Sequence, residues 1–450
     1  MTKVISIGNA QGFWGDSCDA PARLLAQQPD LDYLTLDYLA EVSLSILAGQ
    51  RAKDPALGYA RDFVNVVQSL VPIWRAGSRT RIVCNAGGLN PLGCAKAVLD
   101  VLAAAGITDK KVGLVTGDDV LAALRETPDE PSFDNWENQR PIREILDVLV
   151  TANAYIGADG VVAALAAGAD IVVTGRVADP SLVLGVCMHE FGWKSDQYNL
   201  LAAGTIAGHI IECGTQACGG ISSEWLDVPN NGDIGFPIVQ VSENGDITVT
   251  KPAGTGGRVT ERTVKEQLLY EIGDPRNYLS PDCRVDFTTL QVREAGENRV
   301  AVTGATGSAP TGFYKVSATH KDGFWASGML TIVGRDAVKK ARRCGEIVLE
   351  RLKAAGYEYA RTNIECLGAG AAAPGVLPET ELLETVMRVS VADPRKDAIE
   401  RFTKEIAPLV TAGPQGTTGY AAGRPKVHPI FGYWPCLIAR DRVTVTAQVL

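Results

Sequence analysis

The first half of the chain alternates short apolar runs with longer stretches of helical periodicity, and this alternation limits the possible folds more than any other feature. The apolar runs that predict strands are Lys3–Ile7, Tyr33–Leu36, Arg81–Asn85, Val112–Thr116, Ala154–Ile156 and Ile171–Val173. Amphipathic stretches between several of them predict helices at Tyr59–Arg75, Gly93–Ala105 and Gly160–Ala167. Strands separated by helices are typical of right-handed βαβ units. The sequence therefore predicts an α/β fold with a mostly parallel sheet and helices on both of its faces.

The pattern changes near residue 230, where β-type runs follow one another without helices between them. Pro237–Ser242 and Ile247–Thr250 flank an Asn-Gly turn, which predicts a β-hairpin. Near the end of the chain, Pro378–Val389 is expected to form a long helix. We predict two domains: an α/β domain over residues 1–228, and an α+β domain over residues 229–450 with an antiparallel sheet and a C-terminal glycine-rich loop.

The composition argues against several classes of protein. The 450 residues carry a formal net charge of −9 without a stripe of lysine and arginine, so a nucleic-acid-binding role is not expected. No run has the length of a membrane helix, and the N-terminus lacks the pattern of a signal peptide. The ten cysteines form no Cys-x-x-Cys pair and only four histidines occur, so we expect neither a structural zinc site nor a disulfide framework. The expected location is the cytoplasm, with reduced cysteines.

Glycine and polar residues directly follow most of the predicted strands. Ligands of parallel α/β sheets bind at these carboxyl ends, where glycine lets backbone N–H groups approach a carboxylate or phosphate. The residues after the first and third strands that we expect to bind a small anionic substrate are Asn9, Asp16, Asn85, Gly87, Gly88 and Asn90. Asn90 precedes Pro91, however, and this pair is also a common helix start.

Two further loops are candidates for substrate binding. Arg176 follows the sixth predicted strand and has the geometry to bind a carboxylate or phosphate with two parallel hydrogen bonds, although a structural ion pair with Asp179 is the alternative. The loop after the hairpin offers a similar cradle, formed by Lys251, Thr255, Gly256 and Gly257. Neither a GxGxxG motif nor a P-loop occurs, so no nucleotide cofactor is indicated.

Three carboxyl groups and one histidine are the candidate catalytic residues. Asp118 follows the fourth predicted strand, where it would act as a base or cap the next helix, and Asp179 would act as a base or orient the neighbouring arginine. His209 and Glu212 are three residues apart, which places them on one helix face as an acid–base pair or as metal ligands. The spacing does not specify a divalent metal, so the cofactor is left open. Cys213 is a further candidate nucleophile, or a buried thiol.

Longer motifs are spread over nearly the whole chain. They are Gly8–Asp16, Asp37–Glu41, Asn85–Pro91, Gly204–His209, Glu212–Gly214, Lys251–Gly257 and Val264–Glu271. These segments resemble the acyclic terpene utilisation (AtuA-like) family. The namesake of that family belongs to the bacterial breakdown of citronellol and geraniol, in which branched acyl-CoA thioesters are hydrated and cleaved. The resemblance implies a catabolic lyase, and a small partner subunit of ferredoxin-like fold, because members are often encoded with or fused to such a domain.

Together these observations predict a lyase, either a hydratase or dehydratase or a carbon–carbon lyase. Its expected substrate is a branched hydroxy-carboxylate or the CoA thioester of that acid, and a homo-oligomer is expected. Two alternatives stay open: a non-catalytic substrate-binding subunit of a two-component enzyme, and an isomerase of the same substrate class. The orientation of Asp118, Asp179 and Glu212 separates them, because carboxylates that point away from the glycine loops would disfavour an acid–base enzyme.

Overall fold

The computed structural model describes residues 2–40 and 42–450, and residue 421 by its backbone only. Glu41, the last residue of the motif that begins at Asp37, lies outside the described residues. The chain forms two compact units, one of Met1–Thr319 with Tyr433–Leu450 and one of His320–Gly432. These bounds differ from the change of pattern near residue 230, and we refer to the two parts as unit 1 and unit 2.

The elements alternate along the chain much as the apolar runs do. Within the described residues the strands are β1 (Val4–Asn9), β2 (Tyr33–Leu36), β3 (Arg81–Cys84), β4 (Val112–Thr116), β5 (Leu149–Ala154), β6 (Ile171–Thr174), β7 (Ile238–Ser242), β8 (Ile247–Thr250), β9 (Tyr278–Leu279), β10 (Arg284–Asp286), β11 (Gln291–Gly296), β12 (Arg299–Thr303), β13 (Thr306–Ser308), β14 (Phe313–Val333), β15 (Arg361–Leu367), β16 (Glu384–Asp393), β17 (Thr417–Thr418), β18 (His428–Ala439) and β19 (Thr446–Val449). The helices are α1 (Ala20–Gln27), α2 (Ser43–Arg51), α3 (Asp62–Arg75), α4 (Pro91–Ala104), α5 (Leu121–Glu126), α6 (Asp159–Ala166), α7 (Ser181–Phe191), α8 (Tyr198–Ile211), α9 (Glu261–Leu269), α10 (Ala337–Ala354), α11 (Lys396–Phe402) and α12 (Leu409–Ala412). No helix among these described residues is both long and apolar enough to cross a membrane.

The large sheet of unit 1 has the strand order β11-β12-β8-β7-β1-β2-β3-β6-β4-β19. Its five central strands, from β1 to β4 in this order, are parallel, as Ile7 opposite Tyr33 in the β1–β2 pair illustrates. Antiparallel strands extend both edges, because the predicted hairpin β7–β8 pairs with β1 and β19 pairs with β4. The α/β class and the hairpin are thus confirmed, but the sheet is mixed rather than mostly parallel.

Helices cover both faces of the parallel strands. The residues of β2 and β6 are all buried, which explains their continuous apolar sequence. One face packs against α1, α3 and α4 through side chains such as Leu24, Phe63 and Val98. The other face packs against α6, α7 and α8, and α8 is buried from Leu201 to Ile211. A helix this deeply buried holds the residues at its C-terminal end in fixed positions.

Two local predictions are wrong. The expected helix Pro378–Val389 is replaced by β16, in which Thr385, Met387, Val389 and Val391 are buried in strict alternation with more exposed residues. A period of two favours a strand that buries one face, and in unit 2 this strand pairs antiparallel with β14 and β15 under α10 and α11. The strand expected at Ala154–Ile156 instead ends at Ala154, and β5 pairs with β14 rather than with the parallel strands.

Candidate active site

A crevice of ≈ 410 Å³ lies in unit 1 beyond the carboxyl ends of β1, β2 and β6. Its lining is drawn from residues 12–16, residues 37–40, Tyr155, Asp179, residues 212–221 and residues 270–271. The loops after β3 and β4, which we expected at the same place, are not part of this lining. The crevice therefore lies at the edge of the sheet that the sequence indicated, but only some of the expected loops line it.

A glycine sets the close approach of two segments that line the crevice. A Cβ atom on Gly12 would lie 2.5 Å from the carbonyl carbon of Cys213 and 2.5 Å from the nitrogen of Gly214. The loop after β1 is held in its turn by Asp16, whose Oδ2 accepts a hydrogen bond of 2.7 Å from the Gly12 N–H. At the start of the loop, Asn9 accepts from the N–H of Gln11 at 2.9 Å. Residue 12 must therefore be glycine for the β1 loop to reach the end of α8.

His209 and Glu212 form a hydrogen-bonded pair at the end of α8. The Nδ1 atom of His209 lies 2.9 Å from Oε1 of Glu212, and Nε2 lies 3.0 Å from the carbonyl oxygen of Gln267. A carbonyl only accepts, so Nε2 carries a hydrogen and donates it to Gln267. One more proton must lie between Nδ1 and Oε1, because two lone pairs would repel each other at this distance. The pair therefore holds a shared proton and is neutral as a whole.

The second carboxyl oxygen of Glu212 is left free for a ligand. Glu212 is 9% exposed, and its Oε2 atom is buried without a hydrogen-bond partner among the residues that the structure describes. A buried carboxyl oxygen without a donor costs free energy, on the order of 1–3 kcal/mol. Glu212 lines the crevice, so a donor group of a bound molecule would relieve this cost.

The Arg176 guanidinium is turned into the protein. It is 1% exposed, donates from Nε to the Val177 carbonyl at 2.9 Å and from Nη1 to the Leu39 carbonyl at 2.5 Å, and forms an ion pair with Asp179. Its Cζ atom lies 4.5 Å from the centre of the Tyr155 ring. Arg176 does not line the crevice. Of the two roles that the sequence allowed, anion binding or an ion pair with Asp179, the structure has the ion pair.

Burial raises the pKa of three carboxyl groups in the lining, those of Asp16, Asp37 and Asp179. Burial raises the pKa of Asp37 to about 6, against the opposing effects of Arg176 and of the hydrogen bonds from Asn85 Nδ2 (2.6 Å) and the Leu39 N–H (3.0 Å). Burial also raises the pKa of Asp179 well above its usual range; Arg176 opposes this shift and the neighbouring Asp37 adds to it. The crevice therefore combines carboxyl groups of raised pKa with one that presents a free acceptor.

The lining of the crevice is acidic. It contains Asp16, Asp37, Asp179, Glu212 and Glu271, and in the described part of the chain no lysine or arginine belongs to it. Such a lining offers an anionic group no basic side chain to pair with, and an anion taken out of water without a partner costs free energy. The reacting end of a molecule bound here is therefore expected to be uncharged, which differs from the small anion that the glycine loops suggested.

Cys213 also lines the crevice, but its thiol is not activated. Burial, and next the carboxyl group of Glu212, raise the pKa of Cys213. The thiolate is the nucleophilic form of cysteine, so a raised pKa favours the buried-thiol interpretation over a nucleophile.

Other residues expected to bind substrate serve the packing around the crevice. Asn85 is fully buried and accepts from the Tyr38 N–H at 2.7 Å while it donates to Asp37. A Cβ on Gly87 would lie 2.5 Å from the Thr174 carbonyl oxygen, and Gly88 has a φ of +50°. Asn90 caps α4 by accepting from the Gly93 N–H at 2.9 Å. Asn85 is thus placed to position Asp37, whereas Asn90 acts as a helix cap.

Asp118 lies behind the crevice. It is 3% exposed, and its Oδ2 accepts from Asn153 Nδ2 and from the Arg176 N–H, each at 2.8 Å. Burial raises the pKa of Asp118 to about 6, although both hydrogen bonds oppose the shift. Asp118 therefore anchors the loop that carries Arg176 rather than facing a ligand in the crevice.

The loop from Lys251 to Gly257 is closed on itself. Lys251 donates from Nζ to the Thr255 carbonyl at 2.8 Å, and Thr255 donates from Oγ1 to the Pro252 carbonyl at 2.8 Å. A Cβ on Gly256 would lie 2.1 Å from the Asn230 carbonyl oxygen, and Gly257 has a φ of +79°. None of the four residues predicted here lines the crevice.

Several lining residues were not predicted from the sequence. Tyr155 contacts two cations, with Arg176 at 4.5 Å and Lys315 at 4.8 Å from its ring centre. Gln216 has a buried Oε1 atom without a hydrogen-bond partner among the described residues, and its side chain contacts Tyr270, which also lines the crevice. No sequence motif marks these residues, because only the tertiary contacts bring them to the strand ends.

The described residues contain no group of three or more His, Cys, Asp or Glu side chains placed to hold a metal ion.

Comparisons with known proteins identify a family and nothing finer. No curated protein matches the chain, and no solved structure matches it. A family model described as acyclic terpene utilisation family protein AtuA matches residues 5–449, nearly the whole chain. The chain therefore belongs to the acyclic terpene utilisation (AtuA) family.

Proposed function

We propose that this protein is a lyase that uses Glu212 and Asp179 for proton transfer on a branched 3-hydroxyacyl thioester. The observation that carries the proposal is the free Oε2 atom of Glu212, which is buried in the crevice while Oε1 contacts His209. Membership of a family named for the use of acyclic terpenes supports a branched acyl substrate.

The chemistry requires a base and an acid near one substrate. In a dehydration, Glu212 takes the proton from C2, the bond from C3 to its hydroxyl oxygen breaks, and Asp179 protonates that oxygen, so that an enoyl thioester and water form. In a carbon–carbon cleavage, Glu212 takes the hydroxyl proton, the C2–C3 bond breaks to give a carbonyl at C3, and Asp179 protonates C2. Asp179 is the proposed acid because burial raises its pKa, and because only its Oδ1 accepts from Arg176, so that Oδ2 is the oxygen to carry the proton.

The acidic lining favours a thioester over the free acid. A free carboxylate in the crevice would face the carboxyl groups of Asp16, Asp37 and Glu271 without a basic side chain in the described lining to balance it. A thioester carbonyl and a hydroxyl group are uncharged and offer one acceptor and one donor. The Oε2 atom of Glu212 would accept from that donor.

The alternatives of a binding subunit and an isomerase share this crevice. Asp179 and Glu212 line it together with Gly12, which favours acid–base chemistry over binding alone, whereas Asp118 is not in the lining. An isomerase would use the same two carboxyl groups but would release no water and no second product.

We also propose that the protein acts in the cytoplasm as a homo-oligomer, with a small ferredoxin-like subunit.

The test is an assay on 3-hydroxyacyl pantetheine thioesters with a methyl branch at C3, with and without a small subunit of the proposed ferredoxin-like fold. A lyase forms an enoyl thioester, seen by its ultraviolet absorbance, or two carbonyl products, seen by mass spectrometry. An isomer of unchanged mass would support the isomerase instead. Failure of every thioester to react or to raise the melting temperature would refute both enzyme proposals.

A further inference from the structure

A second cavity, which we call the side groove, lies in unit 1 beside the loop of residues 12–16. It has a volume of ≈ 530 Å³ and is lined by Trp14, by Gln50 at the end of α2 and by Tyr59, with further residues from α3 and Ala97 of α4. Phe13 lines the crevice and Trp14, the next residue, lines the side groove, so one loop borders both cavities. We propose that the side groove binds the adenine ring of a nucleotide.

Aromatic side chains provide the stacking surface that a base requires. The Trp14 indole is fixed in orientation because Nε1 donates to Oδ2 of Asp62 at 2.9 Å. Tyr59 contributes a second partly buried aromatic ring to the lining. Stacking on such rings is a general mode of base recognition, since every base has a flat π-face.

Gln50 supplies the feature that distinguishes adenine. Its Oε1 atom is buried and has no hydrogen-bond partner among the described residues, although the side chain lines the side groove. Buried amide oxygens of this kind are normally paired, so this one suits the N–H donor of a ligand. A glutamine amide pairs with adenine by accepting from N6 and donating to N7. Guanine presents the O6 acceptor at the same edge and would leave Oε1 unpaired.

One face of α3 and the residue before it supply charge and polarity for the rest of the nucleotide. Arg61, Asn65 and Gln68 follow one another at spacings of four and three residues, so they lie on the same side of the helix, and all three line the side groove. The Arg61 guanidinium matches the geometry of a phosphate oxygen pair. This arrangement needs no glycine-rich phosphate loop, which agrees with the missing GxGxxG and P-loop motifs.

The identity of the bound nucleotide rests on the proposed function. A coenzyme A thioester carries adenosine 3′,5′-bisphosphate at the end opposite its acyl group. With the acyl group in the crevice and the adenine in the side groove, the pantetheine arm would pass along the Phe13–Trp14 loop that borders both. The groove itself would bind the nucleotide whether or not the crevice carries out a reaction.

The test measures binding of adenosine 3′,5′-bisphosphate and of guanosine 3′,5′-bisphosphate to the whole chain by titration calorimetry. We expect the adenine compound to bind roughly tenfold or more tightly than the guanine compound, in line with the discrimination that one bidentate base contact provides. Gln50→Leu should remove the preference for adenine over guanine, and Arg61→Ala should weaken the binding of both compounds. Gln27→Leu, on the exposed side of α1, is the matched control and should leave binding unchanged.

Two results would overturn the inference: equal affinity for both bases, or unchanged affinity in Gln50→Leu and Arg61→Ala proteins that melt like the wild type. Failure of the proposed function looks different. If the adenine nucleotide binds but no acyl pantetheine reacts, nucleotide binding in the side groove is supported and the lyase proposal is refuted. If acyl pantetheine reacts but the nucleotide does not bind, the lyase proposal is supported and nucleotide binding in the side groove is refuted.

Discussion

The His209 imidazole shares one proton with Glu212 across 2.9 Å, while its other nitrogen donates to the Gln267 carbonyl. This arrangement predicts that Glu212→Gln is inactive but folded. The glutamine Nε2 would donate to Nδ1 of His209, so the contact is kept while the proton acceptor of the crevice is lost. We expect turnover of the thioester to fall about 10²–10⁴-fold, the range for loss of general acid–base catalysis.

The control for this substitution is Glu261→Gln, a partly exposed carboxyl group at the start of α9 that pairs with Lys265. It should retain wild-type turnover, because surface pairs contribute little. Thermal melts of both proteins complete the measurement. Full activity of a folded Glu212→Gln protein would show that Glu212 takes no part in the reaction.

Gly12→Ala tests the contact between the β1 loop and the end of α8. The added Cβ would meet the Cys213 backbone at 2.5 Å, so one segment must move away from the other. We expect a loss of about 1–3 kcal/mol in the free energy of unfolding, together with lower thioester turnover. The matched variant is Gly232→Ala, where no heavy atom lies within 4 Å of the new Cβ. Equal stability of the two proteins, measured by urea unfolding, would contradict the proposed close contact.

The raised pKa of Asp118 predicts that the stability of the protein depends on pH. Its pKa is about 6 in the folded protein and near 3.9 in an unfolded chain, so the folded state holds the proton more tightly. Stability from this group is therefore complete below about pH 4 and is lost as the pH rises through 6. Asp118→Asn has no proton to lose and its Oδ1 still accepts from Asn153 and Arg176. Between pH 4.5 and 7 the variant should gain about 1–3 kcal/mol relative to the wild type in chemical unfolding. A pH-independent difference would show that burial does not shift this carboxyl group.

Cys213 is predicted to be dispensable for chemistry. Its raised pKa keeps the thiol protonated at neutral pH. Cys213→Ser preserves the size of the side chain, and thioester turnover should stay within about threefold of the wild type, because a protonated thiol supplies no nucleophile. A covalent acyl adduct on Cys213, detected by mass spectrometry of the protein mixed with substrate, would contradict this prediction.

The sequence predicted the strands of the parallel centre and their polar ends because local patterns determine both. Tyr33–Leu36 and Val112–Thr116 have the predicted bounds, since a buried strand bounded by turn residues is visible in the sequence itself. The edge strands were not assigned to the same sheet. Pairing of β7 with β1 and of β19 with β4 joins segments more than two hundred residues apart, and no local pattern encodes it.

The candidate site was predicted in part for the same reason. Asp179, Glu212 and His209 were found because they follow a strand or share a helix face, and both are local features. Tyr155 and Gln216 line the crevice only because distant segments meet there. The local patterns also could not tell which loop carries a ligand and which one packs. Asn9 and Asn90 both follow predicted strands, but neither lines the crevice: Asn9 accepts from the Gln11 N–H and Asn90 caps α4.

Arg176 gives the sharpest test of whether the strand-end arginine binds substrate or supports the crevice. Its donors reach the Leu39 and Val177 carbonyls and Asp179, a set that the planar fork of an arginine satisfies and a lysine ammonium does not. Arg176→Lys should therefore lose about 2–5 kcal/mol in the free energy of unfolding, as expected when a buried charged group loses partners. The KM of the folded variant for the thioester should stay within about threefold of the wild type. Arg23→Lys is the control, because its ion pair with Asp233 is exposed on both sides and should be neutral. An unchanged melting temperature with a tenfold higher KM would show instead that Arg176 turns toward the substrate, and the acidic crevice would then have its missing cation.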